Sequence, residues 1–338
     1  MKDKYVVILA AGKGVRMASR NENYAKVAYP ILGKALINYV LDAAKGLNPK
    51  EIYVVVGFGA DATIACIKNE AKIVWQKEVL GTGHAVMQVS EYLKDKDGEV
   101  FILCGDTPLL TTDTLEKIFH KHERSGASLT ICSTVLANPE GYGRVIRERP
   151  SYKILEVRPY AEINEEEASL GEINSGIYVV DNALLQKCLP LLSRENKKNE
   201  YYLSDIVKIF NEHGHLVDAY VLEDATDVFN INDRMQLAYA AKVIRKRVNH
   251  SLMVSGVSIE DPETTYISPD VKIGRDTVIM PNTTILGKCV IGEGNWIGPN
   301  ASLVNVTMGD ENYITHSVVK NVKLGNKERI GPFEERVG

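Results

Sequence analysis

The chain has 338 residues, of which 45% are hydrophobic and 25% charged, and a formal net charge of −4. This leaves room for two domains of ~100–200 residues and is ordinary for a globular protein. It supplies no basic field for nucleic acid or an anionic membrane, and no apolar run nears the ~20 residues of a membrane span. The N-terminal apolar run is too short for a signal peptide and leads straight into glycines, so a cytoplasmic chain is expected. Five cysteines (Cys66, Cys104, Cys132, Cys188 and Cys289) are scattered and lack a C-x-x-C pair. They read as reduced core thiols, not as a disulfide framework or zinc ligands.

Val6–Leu9 reads as a buried strand that stops at Ala10-Ala11 and turns through Gly12-Lys13-Gly14 to Arg16. Glycines after a central strand let backbone N–H groups approach an anion, with Lys13 and Arg16 as cations beside it. Met17 stands where the dinucleotide fingerprint needs a third glycine, and Val15 follows Gly14 where a P-loop needs Gly-Lys-Ser/Thr. These residues alone admit a phosphate cradle or a tight turn with solvated cations. After a polar, aromatic stretch from Arg20 to Tyr29, a turn at Pro30–Lys34 precedes a helix over Ala35–Lys45. Strands follow at Ile52–Val56 and Ile73–Trp75 around a helix at Asp61–Asn69. QKEVLGTGHAV (76–86) opens a helix toward Tyr92. A strand at Val100–Leu103 ends in Cys104-Gly105-Asp106, and a helix over Thr112–Ser125, capped by Thr111 or Thr112, precedes a strand at Leu129–Val135.

Strands alternating with helices predict a mostly parallel α/β sheet, whose ligands bind at the carboxyl ends of the strands. Gly12–Arg16, Gln76–Thr82 and Asp106 fall at such ends. Asp106 reads either as a turn cap or, beside a phosphate cradle, as a ligand for Mg²⁺, which prefers oxygen donors. Asn138–Arg144 is a glycine-rich turn before a strand at Val145-Ile146, and Glu162–Glu167 a mobile loop or helix start. Glu172–Val180 and Leu216–Val221 read as strands, Ala183–Leu192 and the segment reaching Asn211 as helices. Met235–Val248 is a long helix. The expected domains are 1–234, a connecting helix at 235–255, and 256–338.

Beyond Gly256 the period changes. Ile267, Ile273, Ile279, Ile285, Ile291, Ile297 and Leu303 recur every six positions, and after a one-residue slip Met308, Ile314, Leu324 and Ile330 continue. Regular hexads are the mark of a parallel β-helix, each coil stacking its aliphatic residue on the next.

With these pieces placed, the chain resembles the bacterial family of bifunctional N-acetylglucosamine-1-phosphate uridyltransferase/glucosamine-1-phosphate acetyltransferases along nearly its whole length. The motifs are LAAGKGVRM (9–17), LGTGHAV (80–86), GDTPL (105–109), NPEGYGRVIR (138–147), EINSGIY (172–178), EYYLSD (200–205) and NINDRMQLA (230–238). The resemblance implies a Rossmann-like nucleotidyltransferase domain followed by a left-handed parallel β-helix. It implies Mg²⁺-dependent synthesis of UDP-N-acetylglucosamine, a cell-wall precursor, from UTP and N-acetylglucosamine 1-phosphate. A homotrimer through the β-helix follows from the same resemblance. By position, Leu9, Ala10, Ala11, Gly12, Gln76, Gly81 and Thr82 hold uridine, and Gly14, Arg16 and Lys26 the triphosphate, with Arg16 and Lys26 catalytic. Gly105 is a substrate-binding position, Asp106 and Asn232 bind Mg²⁺, and Gly143 and Asn174 contact the sugar.

The chain departs from the family at Val15, at Ala25 before Lys26, at Cys104 where an aromatic is common, and at VRPYAEI (157–163). The last change leaves the sugar-binding Glu matched to Arg158 or, with a slip, to Glu156. The acetyltransferase positions lie in later coils, and His316 does not match the catalytic base, so no acetyltransferase activity is expected. Two other functions stay open: a pyrophosphorylase for another pair, such as glucose 1-phosphate with UTP, dTTP or ATP, and a non-catalytic assembly subunit.

Overall fold

The computed structural model describes residues 2–17 and 24–338. The chain divides into two compact units, one comprising residues up to Tyr29 and Ala35–Asp233, the other Pro30–Lys34 and Arg234–Gly338. Residues 20–23 of the expected polar stretch lie outside the described residues.

In the first unit, strand Lys4–Ala10 is central. Glu51–Val56 and Glu99–Cys104 flank it in parallel, and Lys72–Trp75 extends the sheet in parallel beyond Glu51–Val56. Beyond Glu99–Cys104 runs Glu172–Asp181, antiparallel to both its neighbours, then Leu129–Val135 and Val217–Leu222, parallel to each other. Both faces of this sheet are covered, which is why its strands read as unbroken apolar runs. Val6, Ile8, Val54, Val56, Phe101 and Leu103 pack into one core with helices Leu36–Gly46 and Thr112–Ser125. Val7, Tyr53, Val55, Val100 and Ile102 face the other core, with Thr82–Met87, Asn182–Cys188 and Ile206–Glu212. Each fully buried Val, Leu or Ile here contributes about 1.5–3 kcal/mol of transfer free energy.

Several local features sharpen the reading from sequence. Thr111 is the cap of the Thr112–Ser125 helix, its Oγ1 accepting from the Thr114 N–H at 3.2 Å. The helix expected to run from residue 82 toward Tyr92 instead breaks into Thr82–Met87 and Ser90–Leu93. The acidic stretch does start a helix, Glu165–Ala168, closed at its N-terminus by a capping box between Asn164 and Glu167. A short strand at Ile154–Arg158, not read from the sequence although apolar and charged residues alternate in it, forms a hairpin with Arg144–Arg147.

In the second unit, three parallel ladders build the left-handed β-helix. Ile267, Ile285 and Leu303 stack in one ladder, Ile279, Ile297, Ile314 and Ile330 in another, and Ile291, Met308 and Leu324 in the third. Val319, which counting by sixes passes over, stacks on Leu303 and is fully buried, so the steps between inward residues shorten to five at 303–308, 314–319 and 319–324. Helix Arg234–Val254 stands within this unit. Val248 and Leu252 pack on its core, Arg245 pairs with Glu263, and Asn249 Nδ2 donates to the Pro262 and Thr265 carbonyls at 3.0 and 3.1 Å.

Candidate active site

The carboxyl ends of the parallel strands deliver one constellation. Lys4–Ala10 runs out into Ala11–Gly14, Lys72–Trp75 into Gln76, and Glu99–Cys104 into Gly105 and Asp106. Between them opens a cleft of about 650 Å³ lined by Leu9, Ala10, Ala11, Gly12, Gly14, Lys26, Gln76, Gly81, Thr82 and Asp106, together with Tyr202 and others. Most of the positions expected to hold a nucleotide thus share one wall.

The glycines have distinct reasons to be there. A Cβ on Gly12 would meet nothing within 4 Å, so its backbone lies open to the cleft. Gly14 sits at φ +58°, and a Cβ there would lie 2.6 Å from Lys26 Cβ. Gly81 has φ +106°, and its missing side chain lets the chain pass close to the Tyr201 carbonyl, which accepts from the Gly83 N–H at 2.8 Å. Gln76, 2% exposed, donates from Nε2 to the Gly81 carbonyl at 3.0 Å and lies 3.0 Å from His84 Nδ1. Its amide is therefore held in one orientation at the base of the cleft. Thr82 Oγ1 accepts from the Leu203 N–H at 3.0 Å, tying the EYYLSD motif to the same loop.

At the mouth, Lys26 and Asp106 form an ion pair, their side chains only 13% and 16% exposed. Lys26 Nζ also donates to Asn232 Oδ1 at 3.2 Å. Asp106 is fixed further by Asn230 Nδ2 on its Oδ1 at 3.1 Å and by the Ile231 N–H on its carbonyl at 2.9 Å. Asn230 was not singled out from sequence, although it lies in the same NINDR run. Gly105 acts through its backbone, donating to the Leu9 carbonyl at 2.9 Å. Arg16 does not line the cleft; it stands exposed in the single turn Val15–Met17. Among the described residues no cluster of three or more His, Cys, Asp or Glu side chains assembles. The oxygen donors at the mouth are one carboxylate and the Asn232 amide.

A second cleft of about 200 Å³ joins the first. It shares Leu9, Thr82, Cys104 and Tyr202 with it and adds Gly143, Val157, Pro159, Asn174 and Tyr178 among its walls. Asn174 sits at a bulge in Glu172–Asp181. Its N–H donates to the Gly143 carbonyl at 3.0 Å and its Nδ2 to the Tyr178 hydroxyl at 2.7 Å. Gly143 and Asn174 are therefore brought together in the wall of this cleft. Glu156 and Arg158 are not in its wall. They pair with each other, Arg158 also reaching Glu167 at 3.4 Å, and the intervening Val157 is what faces the cleft.

Burial tunes this region. The Cys104 thiol, between the clefts and near Asp106, is pushed up to about 12 by desolvation first and by that carboxylate second. Asp205 is pushed up to about 6, chiefly by burial and then by Glu156. Tyr142 stands near Asp106, Arg16 and the Asn230 backbone, its phenol raised mainly by burial. Asp205 and Tyr142 lie in the EYYLSD and NPEGYGRVIR motifs, but neither was a candidate site residue.

Comparison with known proteins agrees with this architecture. Residues 6–158 match the MobA-like NTP transferase domain and residues 270–305 the bacterial transferase hexapeptide (six repeats). A crystal structure of UDP-glucose pyrophosphorylase complexed with UDP-glucose superposes with a TM-score of 0.58 at 18% identity, over 72% of this chain and 99% of that one. It shares the fold. The bifunctional protein GlmU of Geobacillus sp. (strain WCH70) is 40% identical over 333 residues, 98% of this chain and 72% of the relative. The GlmU of Caldanaerobacter subterraneus subsp. tengcongensis is 43% identical, also over 98% of this chain and 72% of its own length. Identity sustained across both the sheet unit and the hexapeptide coils shows that the chain belongs to the GlmU family.

Proposed function

We infer that this chain transfers the uridylyl group of UTP to N-acetylglucosamine 1-phosphate, releasing pyrophosphate and forming UDP-N-acetylglucosamine. The observation that carries this reading is a pair of clefts sharing Leu9, Thr82, Cys104 and Tyr202, the larger of them lined by Lys26 and Asp106, with Asn232 bonded to Lys26. The larger cleft, with the open backbone at Gly12 and the oriented Gln76 amide, suits uridine and its phosphates. The smaller, with Gly143 and Asn174, suits the sugar.

In the reaction a sugar-phosphate oxygen attacks the α-phosphorus of UTP, and the bond to the β-phosphate oxygen breaks. Two anions must be brought into line, so positioning and charge neutralisation do the work and no protein nucleophile is needed. Lys26, held by Asp106, supplies a point charge at the mouth. Arg16, exposed on its turn, is assigned to the departing pyrophosphate and suits bidentate contact with it. The Asp106 carboxylate and Asn232 amide oxygen fit Mg²⁺, a hard cation that takes one or two carboxylates with phosphates and water. The Lys26 ammonium already bridges these two oxygens, so the place between them favours positive charge. Mg²⁺ bound there supplies further neutralisation of the phosphates. We assign the molecule to the cytoplasm as a homotrimer through its β-helix, with light scattering as the check on assembly.

Pyrophosphate release by the purified chain with MgCl₂ tests the reading, in a matrix of UTP, dTTP and ATP against N-acetylglucosamine 1-phosphate and glucose 1-phosphate. The highest kcat/KM is expected for UTP with N-acetylglucosamine 1-phosphate. A preference for glucose 1-phosphate, or for another nucleotide, overturns it.

A further inference from the structure

Arg144 is a buried cation whose contacts are not those of an ordinary ion pair. It is 2% exposed, at the start of strand Arg144–Arg147. Among the described residues no carboxylate lies within ion-pair distance of it. Its Nη1 donates to the Pro139 carbonyl at 2.8 Å and to the Tyr142 carbonyl, and its Nη2 to the Ala168 carbonyl at 3.4 Å, while Nε has no partner among the described residues. Taking a guanidinium out of water without a counter-charge is costly, and replacing it with a neutral side chain is often the more stable choice. Fold stability alone therefore gives a weak reason for an arginine here.

What the guanidinium holds is the turn Pro139–Tyr142. Two of its three acceptors are carbonyls of that turn, gripped by one nitrogen. The turn delivers residues to both sides of the reaction centre. Tyr142 stands near Asp106, the Asn230 backbone and Arg16. Gly143 follows directly, lines the smaller cleft and accepts from the Asn174 N–H. The turn has little freedom to drift on the far side, since a Cβ on Gly143 would lie 2.9 Å from the Arg158 carbonyl. A planar fork can fix several carbonyls at once, whereas an ammonium is a point charge on a flexible stem.

We propose that Arg144 is a positioning residue for the reaction, locking the Pro139–Gly143 turn so that the sugar-side cleft keeps its register with the phosphate-binding mouth. This rests on the uridylyl-transfer reading. Arg144 touches no substrate and acts through Tyr142 and Gly143.

The test uses Arg144→Lys and Arg144→Gln in the full chain, with steady-state kinetics for both substrates and UTP affinity by titration calorimetry. The expected result is a tenfold or greater rise in KM for the sugar phosphate together with a fall in kcat. UTP affinity should stay within twofold of the parent, and the Lys variant should be less impaired than the Gln variant. Equal loss of UTP and sugar-phosphate binding, or a sugar-phosphate KM within twofold of the parent, overturns the proposal. So does failure of both variants to fold, which would make Arg144 a core element only. If the parent does not turn over UTP with N-acetylglucosamine 1-phosphate, the reading of the site has failed first. A parent that turns over normally beside variants without the split isolates the failure to Arg144.

Discussion

The two units spend their polar residues differently. In the solenoid, buried polar groups satisfy one another along the axis. Asn295 Oδ1 accepts from Asn312 Nδ2 at 3.0 Å, and Asn312 Oδ1 from the Glu328 N–H at 2.8 Å, so each coil is closed by the next. In the sheet unit one buried network, Glu99 with Lys2 and His122, closes at the amino end of its strand, while several groups at the carboxyl ends stay only partly satisfied. The Lys26–Asp106 pair faces a cleft, Asp205 carries a carboxyl that burial disfavours, and Arg144 has an N–H without a partner among the described residues. The solenoid is arranged for stability by repetition, whereas the sheet unit keeps unfavourable groups where a substrate is to be met.

The contrast is broken most severely at Asp106. Asp106→Ala removes the carboxylate that anchors Lys26 and is assigned to Mg²⁺. Pyrophosphate release should fall by about a thousandfold, the scale of losing one charge-stabilising group. Melting temperature should fall as well, because the mostly buried Lys26 loses its counter-charge. Unchanged turnover refutes the metal assignment.

In the solenoid the main effect is on stability. Ile285 is fully buried between Ile267 and Leu303. Ile285→Ala should destabilise by about 2–4 kcal/mol through lost transfer energy and the cavity left behind. Denaturant unfolding followed by circular dichroism measures this, and a loss below ~1 kcal/mol would mean that the coils collapse to fill the space.

The smallest effect concerns Asp205, with a folded value of about 6 against an ordinary 3.8. A carboxyl raised in the folded state binds its proton more tightly there than in the unfolded chain. Its penalty is absent below about 3.8, grows as pH rises between the two values, and is complete above about 6. Asp205→Asn should therefore raise stability above pH 6 by about 1–2 kcal/mol, after allowance for solvent screening, and leave it nearly unchanged at pH 4. Melting curves of both proteins across pH 4–8 check the sign; a gain that is larger at low pH contradicts it.

Asp205 also marks how far the sequence reaches. The parallel core was legible because strands covered on both faces write continuous apolar runs, and the solenoid because each coil repeats its inward residue. Gly12, Gly14, Gln76, Gly81, Thr82 and Asp106 were legible as positions in the quoted segments and Lys26 only through the family resemblance, and all of them line one cleft. Glu156 and Arg158 were candidates of the right chemistry, yet strand alternation turns them to each other and leaves Val157 at the wall. A strand's facing cannot be known until its partner fixes the register. Asn230, Tyr142 and Arg144 lie in the quoted motifs, but their roles became visible only in three dimensions: Asn230 bonds to Asp106 far away in the chain, and the grip of Arg144 on the nearby Pro139 and Tyr142 carbonyls matters because that arginine is buried. Local order thus came from periodicity and glycine chemistry, which are properties of short stretches. Which polar groups are buried, paired or left over was decided by packing, because desolvation and partner choice exist only once the chain has folded.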